Sequence, residues 1–250
     1  MQLKDKLVLL TGGSDGIGLA LARRLRAADA KVVIVGRSAE RCATARAEGF
    51  EVIEADLSLP EGVDRVIDAV VGRAVDILIN NAGVSGAPNA AASCLYDVNE
   101  PVDLPAMDRA IFLNFHAPIH LLTRLLPQLR AQPEAMIVNV TSGLAIAPRA
   151  DAPVYCATKA GLRSFTLALR HQLRDAKVHV LEVLPPVVET KMTKGHIARG
   201  RAAMTPDACA ADIVKAMTSG ATEANVGQVK LLRFVDSFAP ALARRIMINY

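Results

Sequence analysis

The chain has 250 residues, 52% of them hydrophobic, which supplies apolar surface for a sizeable core and excludes a disordered chain. Its 29 Lys and Arg against 25 Asp and Glu leave a net charge of only +4, scattered along the sequence. With aromatics at 4% and no Trp, a nucleic-acid-binding face of the basic or base-stacking kind is excluded. The four cysteines Cys42, Cys94, Cys156 and Cys209 lie far apart without metal-binding spacing, so reduced thiols, a cytoplasmic setting and no metal are expected.

The apolar run Leu7–Leu10 follows a charged start and is too short for a signal-peptide core or a membrane span. It reads as a strand that ends in a glycine-rich turn. Leu19, Leu21, Ala22 and Leu25 then recur at helical spacing, with Arg23, Arg24 and Arg26 on the other face. A second buried strand is expected over Val32–Val35, followed by a helix that Ser38 can cap. Further strands are expected at Val52–Ile53, Ile77–Ile79, Met136–Val140, Val178–Leu184 and Gly227–Leu232.

Continuous Val, Ile and Leu runs mark strands buried on both faces, as in a parallel sheet. Their alternation with helices predicts right-handed βαβ crossovers. The expected fold is α/β, a single-domain, Rossmann-type doubly wound parallel sheet of about seven strands with helices on both faces. No linker or repeat divides the chain, so one domain is expected over residues 1–235. Residues 236–250 form a tail expected to be helical, and the wider stretch Phe234–Tyr250 mixes Leu242, Ile246 and Ile248 with Arg244 and Arg245. A basic amphipathic helix of that kind can lie on a membrane or pack on its own domain or a partner subunit; packing is the favoured reading.

Thr11-Gly12-Gly13-Ser14-Asp15-Gly16-Ile17-Gly18 lies between the first strand and the first helix. Glycines there allow a sharp turn and close approach of a phosphate, and the helix start offers free N–H groups and a positive dipole end. Dinucleotide sites often hold an acidic residue at the end of the second strand to bind the ribose hydroxyls. Here Gly36 is followed by Arg37 and Ser38, and a guanidinium suits a 2′-phosphate. Asp15 opposes that choice unless Arg37 neutralises it, so NADP(H) is favoured and NAD(H) stays open.

Tyr155 and Lys159 are four residues apart in a helix beginning near Pro153, which puts both on one face. A phenol loses its proton near pH 10; a nearby ammonium favours the phenolate and suits the pair to proton transfer. Ser142 follows the strand Met136–Val140, at the carboxyl end where open α/β sheets bind ligands. Asn80-Asn81-Ala82-Gly83 follows another strand, and Asn114 sits in an apolar helical stretch, where a buried amide needs a partner.

Taken together, Thr11-Gly12-x-x-x-Gly16-Ile17-Gly18, Asn80-Asn81-Ala82-Gly83, Asn114, Ser142 and Tyr155-x-x-x-Lys159 resemble the short-chain dehydrogenase/reductase superfamily over residues from about 5 to 235. Val138–Ala145, Pro153–Ala160, Leu167–Leu173, Pro185-Pro186 and Met192–Gly195 resemble its DltE-like oxidoreductases. The resemblance implies hydride transfer between a nicotinamide and a carbonyl or secondary alcohol of a small organic substrate. Tyr155 is then the general acid or base, and Lys159 binds the nicotinamide ribose and lowers the Tyr155 pKa. Ser142 positions the carbonyl, and Asn114 holds a water that relays protons to Lys159.

The cofactor contacts implied fall on the turn at Gly12, Ser14, Asp15, Gly16, Ile17 and Gly18, and on Arg37 and Ser38. They continue over Asp56 and Leu57 at the adenine, Asn81, Ala82 and Gly83, and Pro185, Val188 and Thr190 near the nicotinamide, with Tyr155 and Lys159. Pro185-Pro186 replaces the family's usual Pro-Gly, removing a backbone N–H there. The resemblance also implies a homodimer or homotetramer. A ketoreductase type is expected, with two alternatives open: a non-catalytic nucleotide-binding regulator or scaffold, and non-redox chemistry such as epimerisation or dehydration. His116 and His120, four apart, read as structural or surface residues, Cys156 as a packed thiol, and Met192, His196 and Ile197 either as pocket-lining residues over the substrate or as plain packing.

Overall fold

The computed structural model describes residues 1–85, 97, 99, 101–193 and 203–249. Among the described residues the strands are β1 (Leu7–Thr11), β2 (Lys31–Gly36), β3 (Glu51–Glu54), β4 (Ile77–Asn80), β5 (Ala135–Val140), β6 (Val178–Leu184) and β7 (Glu223–Asn225). The α-helices are α1 (Gly16–Ala27), α2 (Ala39–Ala47), α3 (Pro60–Val70), α4 (Leu104–Ile111), α5 (Ala117–Ala131), α6 (Pro153–Gln172), α7 (Pro206–Ser219), α8 (Val229–Phe238) and α9 (Pro240–Met247).

All seven strands pair in parallel, in the order β3-β2-β1-β4-β5-β6-β7. The continuous apolar runs resolve into two cores because successive side chains point to opposite faces. Leu10, Ile34, Ile79 and Val138 face one way and pack with Leu21 and Leu25 of α1 and Ile213 and Met217 of α7. Leu9, Val33, Leu78 and Ile137 face the other way, against Val66 of α3, Leu121 and Leu125 of α5 and Leu169 of α6. The expected doubly wound fold is therefore present. Its strand order reverses between β1 and β4, which opens a crevice at their carboxyl ends.

The far edge departs from expectation. Gly227–Leu232 is not a strand: Gly227 takes φ +54 and α8 begins at Val229. Val229 and Leu232, three apart, face Gly143, so their spacing serves a helix. The closing strand is instead Glu223–Asn225, whose Cα register runs against Glu182–Leu184 of β6. The tail is helical, as expected, but already from residue 229, so residue 235 falls inside α8. No helix among the described residues is long and apolar enough to cross a membrane.

Candidate functional site

The turn after β1 is held by the side chains of Thr11, at the end of β1, and Asn81, just after β4. Thr11 Oγ1 accepts from the backbone N–H groups of Asn81 and Ala82, both at 3.0 Å, and donates to Ile79 O at 3.2 Å. Asn81 Nδ2 donates to Thr11 O at 3.0 Å and Gly12 O at 3.2 Å. A Cβ on Gly18 would lie 2.0 Å from Gly12 O, so only glycine lets α1 start this close to the turn. Asp15 caps α1, its Oδ1 accepting from Gly16 N at 2.8 Å.

That turn forms one end of a cleft of about 670 Å³ at the β1/β4 switch point. The lining includes Gly12, Ser14, Asp15, Gly16, Ile17, Gly18, Arg37, Ser38, Asp56, Leu57, Asn81, Ala82 and Gly83. The same cleft reaches Ser142, Tyr155, Lys159, Pro185, Val188 and Thr190. Every residue proposed for nucleotide contact from the sequence thus borders one space, together with three of the four proposed catalytic residues. Thr190 closes over the turn: a Cβ on Gly16 would come within 3.0 Å of its Cγ2. Asp56 Oδ1 is occupied by Ser58, accepting from its N at 3.0 Å and its Oγ at 2.8 Å.

Two charged cleft residues escaped the sequence reading. Arg41 Nη1 lies 3.0 Å from Asp15 Oδ2, and Lys191 Nζ lies 4.0 Å from the same oxygen. Arg41, rather than Arg37, is therefore the residue that balances Asp15. The signal was available in principle: Ser38 caps α2, and Arg41 occupies the first turn that cap sets.

At the other end, Ser142 sits where β5 gives way to the 3₁₀ turn Gly143–Ala145. Its Oγ accepts from Leu144 N at 3.1 Å, which leaves the hydroxyl proton free to donate. Tyr155 and Lys159 project from α6 as their spacing requires. Lys159 Nζ donates to Val140 O at 3.0 Å and lies 5.9 Å from the centroid of the Tyr155 ring. Burial pushes the Tyr155 phenol up to about 12, with the Ser142 hydroxyl beside it pulling the other way. Burial brings the Lys159 ammonium down to about 8. Loss of water is the leading influence on both groups here.

Asn114 stands apart from the cleft lining. It lies in a π-helical turn, Phe112–His116, between α4 and α5, a widening that recurs at functional sites. Its Oδ1 accepts from Val84 N at 2.9 Å, and its Nδ2 donates to Val84 O at 2.8 Å and Thr158 Oγ1 at 3.3 Å. The amide therefore clasps the segment after β4 to α6. Gly83 lies between: a Cβ there would be 3.1 Å from Asn114 Oδ1 and 3.4 Å from Lys159 Nζ.

His116 and His120 stack with ring centroids 6.2 Å apart, and no group of three or more metal-ligating residues occurs among the described residues. Burial raises the Cys156 thiol, as suits a packed side chain, and Cys42 and Cys209 are also buried. Cys94, His196 and Ile197 lie outside the described residues, as do Lys194 and Gly195.

A parallel sheet with this strand order, a glycine turn at its switch point and a Ser–Tyr–Lys group at the cleft's far end define a nucleotide-binding α/β oxidoreductase. The short chain dehydrogenase family model matches residues 6–199, and the chain belongs to that family. It is 41% identical over 207 residues to an uncharacterized oxidoreductase of Bacillus subtilis, DltE, covering 78% of this chain and 76% of that one. The DltE-like resemblance read from the motifs is thereby supported. A short-chain dehydrogenase from Sphingobium yanoikuyae, solved with NADPH, superposes with a TM-score of 0.78 at 26% identity, covering 95% of this chain and 94% of that one. One from Burkholderia cenocepacia, solved with NADP, gives a TM-score of 0.84 at 22% identity with complete coverage of both chains.

Proposed function

We propose that the protein is an NADP(H)-dependent oxidoreductase of carbonyl and secondary-alcohol substrates, with Tyr155 as its general acid and base. The observation that carries this reading is the single cleft joining the turn Gly12–Gly18 to Ser142, Tyr155 and Lys159. NADPH and NADP in the two superposing dehydrogenases support the same cofactor here.

The chain's residues fit a dinucleotide. The Gly12–Gly18 turn brings backbone N–H groups and the start of α1 to where a pyrophosphate would lie. Arg37 and Arg41 border the cleft after β2, and Arg41 offsets the Asp15 carboxylate that would otherwise repel a 2′-phosphate. Asp56 and Leu57 would border the adenine, and Val188 and Thr190 the nicotinamide end. Bound there, the nicotinamide supplies or accepts the hydride.

Tyr155 keeps its proton throughout the neutral range and can give it to a carbonyl oxygen during reduction. Ser142, its oxygen held by Leu144 N, would donate its hydroxyl proton to that same carbonyl oxygen. Lys159, cationic below about pH 8, would hold ribose hydroxyls. Asn114 fixes the Val84 segment beside Lys159, and a water on its amide would link the two. A cytoplasmic homodimer or homotetramer accompanies this reading.

The test pairs cofactor titration with one variant. NADPH should bind at least about tenfold tighter than NADH, roughly 1.4 kcal/mol. In a carbonyl screen with NADPH, Tyr155→Phe should lower kcat by about 10²-fold or more while its NADPH affinity stays near wild type. Wild-type turnover in that variant sinks the assignment of Tyr155, and binding of neither cofactor favours the scaffold alternative.

A further inference from the structure

Of the eleven large apolar side chains exposed among the described residues, six crowd into α8, α9 and the residue after them: Leu231, Phe234, Phe238, Leu242, Ile246 and Ile248. In α8 the first three fall at i, i+3 and i+7, one line along the helix. Val229, on the opposite side, is buried against the Gly143 turn. The most outward line of α8 is thus its most apolar one, with Phe238 78% and Leu231 67% exposed. Phe234 and Phe238 pack ring to ring at 5.0 Å rather than into the domain. The chain turns at Ala239 into α9, where Ala243 alone is fully buried and Leu242 and Ile246 face out.

The unpaired charge around this stripe has one sign among the described residues. Lys230, Arg244 and Arg245 are exposed, and none has a carboxylate partner among the described residues. Asp236 is the one acidic residue between 226 and 250, and it is paired with Arg233 at 3.6 Å. In a two-fold contact the same patch meets itself, which would set these cations against their own copies. A protein partner of the second-copy kind is therefore disfavoured by charge. An exposed apolar line edged by unpaired Lys and Arg is what an anionic lipid surface takes up in its plane.

We propose that the α8–α9 face is an interfacial docking surface for an anionic lipid bilayer, joining Phe234, Phe238 and Leu242 in the acyl boundary to Lys230, Arg244 and Arg245 at the headgroups. The face adjoins the substrate end of the cleft. Val229 and Leu232 pack on Gly143, the residue after Ser142, and Ile248 O accepts from Ala150 N at 3.0 Å. Docking would lay the segment 143–152 against the membrane, so the bound protein would receive apolar substrates from the lipid side. The docking itself stands without the oxidoreductase reading and is tested without a substrate.

The test is cosedimentation of the full chain with vesicles of phosphatidylglycerol mixed with phosphatidylcholine, and of phosphatidylcholine alone, at low and high salt. Binding is expected to the anionic vesicles and to weaken with salt. Phe234→Ser with Phe238→Ser, and separately Arg244→Glu with Arg245→Glu, should each weaken it by at least tenfold. All four positions are exposed, so circular dichroism should show both variants folded. Failure of the wild-type chain to bind anionic vesicles at low salt overturns the proposal, as does binding unchanged in both variants. Light scattering provides a further arm: the Ser variant turning an oligomer into monomers, without vesicle binding by the parent, would assign the face to a second copy and overturn it too.

Discussion

Lys159 carries a charge that is lost close to physiological pH. Its ammonium is buried, donates to Val140 O, and has no carboxylate partner among the described residues. Removal from water disfavours the cation, so it titrates near 8 rather than at its usual value. The cation is present below that pH and lost above it. If Lys159 holds the ribose, NADPH affinity should fall as pH rises through about 8, and Lys159→Met should bind weakly with a flat profile over that range. A wild-type profile without a bend there removes Lys159 from the cofactor contacts. Arg41 makes a second residue-scale case. It neutralises Asp15 at the mouth of the turn, but both side chains are partly exposed, so screening limits the effect. Arg41→Ala should weaken NADPH binding by about 1 kcal/mol, roughly fivefold, and NADH binding by less. Equal losses for both cofactors would separate Arg41 from the 2′-phosphate.

The π-turn Phe112–His116 shows what an element can do that its sequence does not announce. It carries Asn114 inward, 1% exposed, to take both the N–H and the C=O of Val84. Asn114→Ala leaves those two groups without partners and should cost about 1–3 kcal/mol, a fall of several degrees in Tm for a chain of this size. An unchanged Tm in calorimetry would mean that water replaces the amide without loss. The signal in the sequence was a polar residue in an apolar stretch, which asks for a partner but does not name one 30 residues back. Strands β1, β2 and β4 were legible because strands buried on both faces read as apolar runs, and β3, β5 and β6 because each keeps a core of Val, Ile, Leu or Met between its polar residues. Tyr155 and Lys159 were legible because one helical turn joins them. By contrast, β7 is three residues, Glu-Ala-Asn, at the sheet edge, and carries no run to read. The pattern Val229-Lys-Leu-Leu resembled a strand because its helical partner surface, the Gly143 turn, is distant in sequence. Arg41 and Asp15 likewise meet only once β2 brings α2 beside the first turn.

At the scale of the whole molecule, a chain of charges ties the catalytic helix to the sheet. Arg163, one turn beyond Lys159 on α6, donates to Glu182 Oε2 at 2.6 Å and to Glu223 Oε2 at 3.0 Å, bridging β6 and β7. Glu182 is wholly buried, and its Oε1 accepts from Thr141 Oγ1 at 2.8 Å, one residue before Ser142. Glu223 continues the chain to Arg233 of α8 at 3.3 Å. The two sides of the catalytic end, Ser142 just after β5 and Tyr155 and Lys159 on α6, are thereby fastened to one ionic cluster. Arg163→Met keeps much of the side chain's bulk but strands the Glu182 carboxylate in the interior, which should cost about 3–5 kcal/mol. The loss should depend on pH. Burial already holds the Glu182 carboxyl above the usual carboxylate range, with Arg163 opposing it. Without Arg163 the folded-state pKa rises further, while the unfolded value stays near 4.5. Between those two values the folded variant binds a proton that the unfolded chain does not, so its stability falls as pH increases through that window. Urea unfolding should therefore show a larger deficit for Arg163→Met at pH 8 than at pH 5. An equal deficit at both would mean that Glu182 gains its compensation from water or from Thr141, and that the guanidinium is not what makes its burial tolerable.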